Sequence, residues 1–288
     1  MFTETRVRVA SEPPVELFVA RSRNSRREPL LVIHGGPDWD HTYLRTPLSR
    51  LADRRMVILP DLRGCGRSTR GLTDEHYTPK AATEDLAALL DALEVEQADV
   101  LGFSYGGYLA QRLALSAPER VRRLIIASSS VLPVPEDAFD HWPERTERLK
   151  AEAAVWSDPS LSGMELTRAA AFASASANVW RAEVLPEYLE VLHEVRFSGD
   201  WLRGWQAGTL PSARLPDAPR ELAALGIPLL LLHGRQDMTF PVELVAAALE
   251  RIPTARGVVL EEAGHMAHID QPAAWLDALE SFLSVDAG

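Results

Sequence analysis

A chain of 288 residues that is 46% hydrophobic and 25% charged has the composition of a folded globular protein, which excludes disordered and fibrous classes. Its formal net charge of -11 would repel a phosphate backbone, so nucleic acid is not an expected partner, and a single cysteine, Cys65, excludes an internal disulfide and a cysteine-based metal site. No apolar stretch approaches the roughly 18 residues of a spanning helix, and the opening residues lack the apolar segment of a signal peptide; the expectation is a soluble, cytoplasmic protein without membrane contact.

Val7 to Ala10 and Val15 to Ala20 read as an opening antiparallel pair of strands, and the arginine-rich Arg21 to Arg27 that follows reads as a solvated loop. Leu30 to Ile33 and Met56 to Leu59 are short strands, and Thr83 to Leu93 has the spacing of an amphipathic helix. Asp99 to Phe103 is an apolar run that ends in glycine-rich sequence. Gly107 to Ala117 then has helical character and stops at Pro118, so strand, sharp turn and helix succeed one another. Val121 to Ala127 predicts another buried strand. Pro228 to Leu232 and Arg256 to Leu260 resume the pattern, each followed by a helix, Val242 to Arg251 and Pro272 to Leu283.

Short strands alternating with longer helices predict an α/β fold with a mainly parallel central sheet flanked by helices. Val131 to Pro216 breaks the alternation: it is rich in tryptophan, glutamate, arginine and proline and holds no β run. It reads as a helical cap, residues 131–216, inserted into a core made of residues 1–130 and 217–288. Five of the seven tryptophans fall there, Trp142, Trp156, Trp180, Trp201 and Trp205, and are expected to anchor this layer more than to line a pocket. The alanine-rich Ala171 to Ala177 reads as helix surface or loop.

Gly102-Phe103-Ser104-Tyr105-Gly106 matches G-x-S-x-G at the point where a strand turns into a helix. That turn strains the serine and brings neighbouring chain close, so small residues are needed on either side. A serine hydroxyl is a weak nucleophile, so a base and a group that orients the base must come from elsewhere. Asp237 follows a strand in His233-Gly234-Arg235-Gln236-Asp237, and His265 follows another in Glu262-Ala263-Gly264-His265. In a parallel sheet the carboxyl ends of strands share one edge, where residues distant in sequence converge. Ser104 is therefore the candidate nucleophile, His265 the base and Asp237 the orienting acid, with His268 as a competing base. The backbone amides of Gly36, in the loop His34-Gly35-Gly36-Pro37, and of Tyr105 are candidates for the oxyanion hole. No cofactor and no metal is called for.

These motifs resemble those of the proline iminopeptidases, a branch of the α/β-hydrolases. His34-Gly35-Gly36-Pro37 resembles that family's H-G-G-P-G loop, Asp61 to Ser68 resembles its D-x-R-G-x-G-x-S segment, and Gly102 to Gly107 resembles its nucleophile elbow. The likeness covers residues 28–130 and 225–285. The chain departs from the family's pattern at three positions: Asp38 stands where the family has glycine, Phe103 replaces a glycine before the serine, and Gln236 replaces an aromatic. The resemblance implies the α/β-hydrolase fold and an aminopeptidase-like cleavage of a small molecule or short peptide bearing a free amine. His193 to Phe197 resembles a cap segment that supplies a carboxylate to that amine, which makes Glu194 the first candidate, followed by Asp38 and Glu262. A carboxylesterase, lactonase or thioesterase uses the same groups and stays open, as does a ligand-binding protein without turnover.

Overall fold

The computed structural model describes residues 2–23 and 28–284; Arg26 and Arg27 of the arginine-rich segment lie outside the described residues. Strands β1 (Phe2–Ser11), β2 (Pro14–Ser22), β3 (Leu30–Ile33), β4 (Val57–Pro60), β5 (Ala98–Phe103), β6 (Val121–Ala127), β7 (Leu229–Gly234) and β8 (Ala255–Leu260) form one sheet. Its order is β1-β2-β4-β3-β5-β6-β7-β8. β1 pairs with β2, and β2 with β4, antiparallel, while every pair from β4 to β8 is parallel. The central strands are covered on both faces, which is why they read as continuous apolar runs: all four residues of β3 are buried. Successive side chains still part to opposite faces. Leu31, Ile33 and Val100 join one core cluster, and Leu30, Val32, Leu101 and Phe103 the other.

The helices are α1 (Thr42–Leu48), α2 (Pro79–Ala92), α3 (Tyr105–Ser116), α4 (Pro143–Trp156), α5 (Gly163–Ala173), α6 (Ala175–Asn178), α7 (Leu185–Glu194), α8 (Asp200–Gln206), α9 (Ala218–Leu225), α10 (Glu243–Arg251), α11 (Ala267–Asp270) and α12 (Pro272–Ser284). α2 begins before Thr83 because Thr78 caps it, its hydroxyl accepting the Ala81 amide at 3.1 Å, with Pro79 in the first turn. α3 likewise begins at Tyr105 rather than Gly107, directly after the serine.

Among the described residues no strand lies between β6 and β7; α4 to α8 fill most of that interval, and α9 returns to pack on α3. Two expectations for this layer are corrected. The alanine run is not surface: Ala171, Ala175 and Ala177 are buried, because small side chains let α5 and α6 approach their neighbours closely. Trp201 is fully buried and Trp142 meets Trp180 at 6.5 Å, but Trp156 and Trp205 are 39% and 60% exposed. Those last two rings stand over a cavity instead of anchoring the layer.

Candidate active site

Ser104 sits between β5 and α3 at φ 53°, ψ -120°, a conformation that a side-chain-bearing residue adopts only when its surroundings impose it. The surroundings are backbone. A Cβ on Gly106 would overlap the carbonyl of Ile33, and one on Gly102 would overlap the carbonyl of Gly106, so the elbow is wedged against β3. The turn lifts the hydroxyl above the sheet edge, where Oγ lies 3.1 Å from Nε2 of His265.

The loops after β7 and β8 complete the chain. His265 Nδ1 lies 2.9 Å from Asp237 Oδ2, while Asp237 Oδ1 accepts the amides of Thr239 at 2.7 Å and Phe240 at 2.9 Å. Burial would push the Asp237 carboxyl up, but the charge and hydrogen bond of His265, the charge of His233 and the Phe240 amide together hold it below its ordinary value. His265 thus faces an ionised partner, which accepts a hydrogen bond from Nδ1–H and leaves the Nε2 lone pair turned to Ser104.

Three residues to which the sequence analysis gave no role position these loops. Gln236 binds Ala263 through both amide and side chain, at 2.8 and 3.0 Å. His233 donates from Nε2 to the carbonyl of Phe240 at 2.8 Å, behind the acid. Asp270 accepts the amide of Gly264 at 2.7 Å and those of Trp180 and Arg181 at 2.9 Å each, joining the histidine loop to the cap. The only linear signal was a carboxylate a few residues beyond a glycine-histidine pair, which is too common a pattern to be informative.

Tyr105, directly after Ser104, is the first residue of α3, so its amide has no acceptor within the helix, and the residue lines a cavity beside the elbow. Gly36 lines the same space from the loop after β3, at φ 110°, which favours glycine. That loop is braced from below. His34 Nε2 accepts the Leu62 amide at 3.0 Å, so its proton is on Nδ1, which donates to the Gly35 carbonyl at 2.7 Å. The Gly35 amide donates to the hydroxyl of Tyr43 at 2.7 Å. Asp61, first residue of the D-x-R-G-x-G-x-S segment, accepts from His41 Nδ1 at 2.6 Å and from the Arg67 amide at 2.8 Å, so this segment is a brace and not a contact surface.

The carboxylates expected to read a substrate amine are not brought together here. Glu194, at the end of α7, and Glu262, before the histidine, are exposed and line neither cavity of the site. The helix end points Glu194 to solvent, while the buried Val195 and Phe197 beside it face inward. Asp38 does line a cavity, but its acceptors are occupied. Oδ1 takes the Ser198 hydroxyl at 2.7 Å and the Trp201 amide at 3.1 Å, and Oδ2 takes the Leu202 amide at 2.8 Å. Asp38 lies at φ 72° and is 3% exposed; it fastens the cap to the Gly36 loop. His268, the competing base, is buried against Tyr43, Phe103 and Trp275, and among the described residues no hydrogen bond joins it to Ser104, whose Oγ is met by His265.

Two cavities meet at Gly36 and Trp39. One of about 130 Å³ lies over Ser104 and His265, and one of about 420 Å³ runs from Tyr105 beneath the cap. Among the described residues neither is lined by lysine or arginine. Among the described residues no group of three side chains could hold a metal ion, and no helix is long and apolar enough to cross a membrane.

Comparison with known proteins finds the α/β-hydrolase fold family matching residues 28–272. A 2-hydroxymuconate semialdehyde hydrolase of Pseudomonas sp. strain CF600 is 32% identical over 270 residues, covering 89% of this chain and 87% of that protein. A proline iminopeptidase of Lactobacillus delbrueckii subsp. lactis is 28% identical over 279 residues, covering 89% and 90%. Among solved structures, a thermophilic esterase of Thermogutta terrifontis superimposes with a TM-score of 0.73 at 26% identity, covering 98% of both chains.

Proposed function

The chain belongs to the α/β-hydrolase fold family, and we propose that within this family of hydrolases it is a serine esterase for small substrates without a negative charge, working through an acyl-Ser104 intermediate. The observation that carries the reading is the hydrogen-bonded sequence Ser104, His265, Asp237 opening into two cavities that hold no cationic side chain. Ser104 Oγ attacks the ester carbonyl while His265 Nε2 takes its proton. Asp237 stabilises the imidazolium, and the amides of Gly36 and Tyr105 receive the charge developing on the carbonyl oxygen. The tetrahedral centre collapses, the alcohol departs with the proton from His265, and water repeats the sequence to release the acid.

Two features set this reading above its alternatives. The aminopeptidase reading relied on Glu194, Asp38 and Glu262 for a substrate ammonium, and these are respectively exposed, occupied and exposed, while Glu152, the other carboxylate on the cavity wall, has few acceptors beside it to complete the three that an ammonium needs. A substrate carboxylate, as the name of the Pseudomonas relative implies for that enzyme, would need a cation that the cavity walls lack. The test is a panel of nitrophenyl esters, aminoacyl anilides and lactones, run with wild type and Ser104→Ala, alongside labelling by a fluorophosphonate. Ester turnover and labelling that both vanish in Ser104→Ala are expected. Turnover confined to aminoacyl anilides with a free amine would return the aminopeptidase reading, and unlabelled Ser104 would end the serine mechanism.

A further inference from the structure

The 420 Å³ cavity is larger than the carbonyl of a small ester needs, and its walls have a distinctive chemistry. Trp39, Tyr105, Trp156, Trp201 and Trp205 supply five aromatic rings, drawn from the Gly36 loop, the nucleophile elbow and cap helices α4 and α8. Trp156 and Trp205 stand 5.4 Å apart between centroids at 53° to each other, a partly open corner left exposed to the cavity and solvent. Among the described residues two carboxylates line the cavity, Asp38 and Glu152, and no lysine, arginine or histidine does. Asp38 is occupied. Glu152, on α4, accepts the indole N–H of Trp156 at 3.0 Å on one oxygen and forms no ion pair among the described residues. Arg145, the cation acting on it electrostatically, donates instead to the Met238 carbonyl at 2.7 Å and lies over Phe139.

Aromatic faces and a carboxylate without an ion-pair partner attract a cation, and the kind of cation follows from the hydrogen bonds on offer. A primary ammonium brings three N–H donors that need acceptors once desolvated. Side-chain acceptors on the wall are few: the second oxygen of Glu152 and the hydroxyl oxygens of Thr167 and Ser174, of which Ser174 already accepts the Asn178 amide at 3.2 Å. A peralkylated ammonium brings no N–H; it needs only ring faces and a counter-charge. We propose that the cavity beneath the cap binds a quaternary ammonium group carried by the ester substrate, with Glu152 as counter-charge and Trp156 and Trp205 as ring faces. This rests on the reading of Ser104 as the nucleophile of an esterase. Burial raises the Glu152 carboxyl above its ordinary value, so a bound cation also relieves an electrostatic penalty already present.

The test uses a matched pair, the butyrate ester of choline and its neutral 3,3-dimethylbutyl isostere, in about 0.15 M salt to screen the field of the whole protein. Wild type is expected to favour the cationic ester by about tenfold or more in kcat/KM, and that ratio should fall towards unity in Glu152→Gln and drop in Trp205→Ala. Tetramethylammonium, titrated by tryptophan fluorescence, should bind wild type saturably and Glu152→Gln more weakly, a readout independent of turnover. Equal turnover of the two esters, or tetramethylammonium binding that ignores both substitutions, overturns the quaternary-ammonium site. If the neutral ester is still cleaved and Ser104 is still labelled by fluorophosphonate, only that inference falls. If Ser104 is not labelled, the esterase reading falls, while saturable Glu152-dependent binding of tetramethylammonium would keep the cation site.

Discussion

His268→Phe separates the two histidines of the Gly264 loop and puts a number on the unused one. His268 is 2% exposed and enclosed by the rings of Tyr43, Phe103 and Trp275, at 5.9, 5.2 and 5.6 Å between centroids, with no side-chain hydrogen-bond partner among the described residues. Burial, with the charge of His265 adding to it and the Tyr43 carbonyl only partly opposing them, pushes its pKa down from 6.5 to about 3. The folded protein therefore keeps this ring neutral while the unfolded chain protonates it below pH 6.5. Stability is intact above that value and is lost as pH falls towards 3. Each pH unit within that window costs about 1.4 kcal/mol, so at pH 5 the penalty is about 2 kcal/mol. Phenylalanine fills a similar volume and does not titrate. Urea denaturation at pH 7 and pH 5 should show wild type losing about 2 kcal/mol more than His268→Phe between the two conditions. Esterase activity of the variant at pH 7 should stay within about tenfold of wild type, about 1.4 kcal/mol of barrier. Parallel stability profiles for the two proteins would refute the buried, neutral state of His268; loss of turnover without loss of fold would refute its exclusion as the base.

Asp237→Asn should lower kcat by about 10⁴: Oδ1 must still accept the Thr239 and Phe240 amides, so the new NH₂ turns towards His265 Nδ1 and imposes the wrong tautomer, which steady-state kinetics on a nitrophenyl ester would reveal. Asp38→Ala strands the Trp201 and Leu202 amides without an acceptor, worth about 1–3 kcal/mol of stability. Thermal unfolding should move down, and KM should rise more than kcat falls because the cap loosens over the larger cavity. Gly106→Ala should not yield folded protein, since its Cβ would overlap the Ile33 carbonyl, whereas Gly71→Ala, at φ 73° in open space, should lose only about 1 kcal/mol; circular dichroism of the two proteins distinguishes a steric block from backbone strain.

The core was legible in the sequence because its signals are local. Four consecutive buried residues in β3 read as a strand covered on both faces, and the glycines around Ser104 announce a turn that only small residues fit. Parallel pairing then places the loops after β7 and β8 on the edge that holds Ser104, so the convergence of Ser104, His265 and Asp237 was implied by element order alone. The expectations that failed concern where a side chain points and what already occupies it. Glu194 is the last residue of α7; the chain then runs extended from Val195, and its alternation puts Val195 and Phe197 inward and leaves Glu194 and Arg196 in solvent. Asp38 reaches the cavity, but its carboxylate is occupied by three groups 160 or more residues away in sequence. The corner formed by Trp156, Trp205 and Glu152 brings α4 and α8 together, and no local pattern records that contact. Strand order and backbone turns are set by short-range sterics and patterning, whereas the occupancy of a charged group is set by partners that only the packed chain brings near.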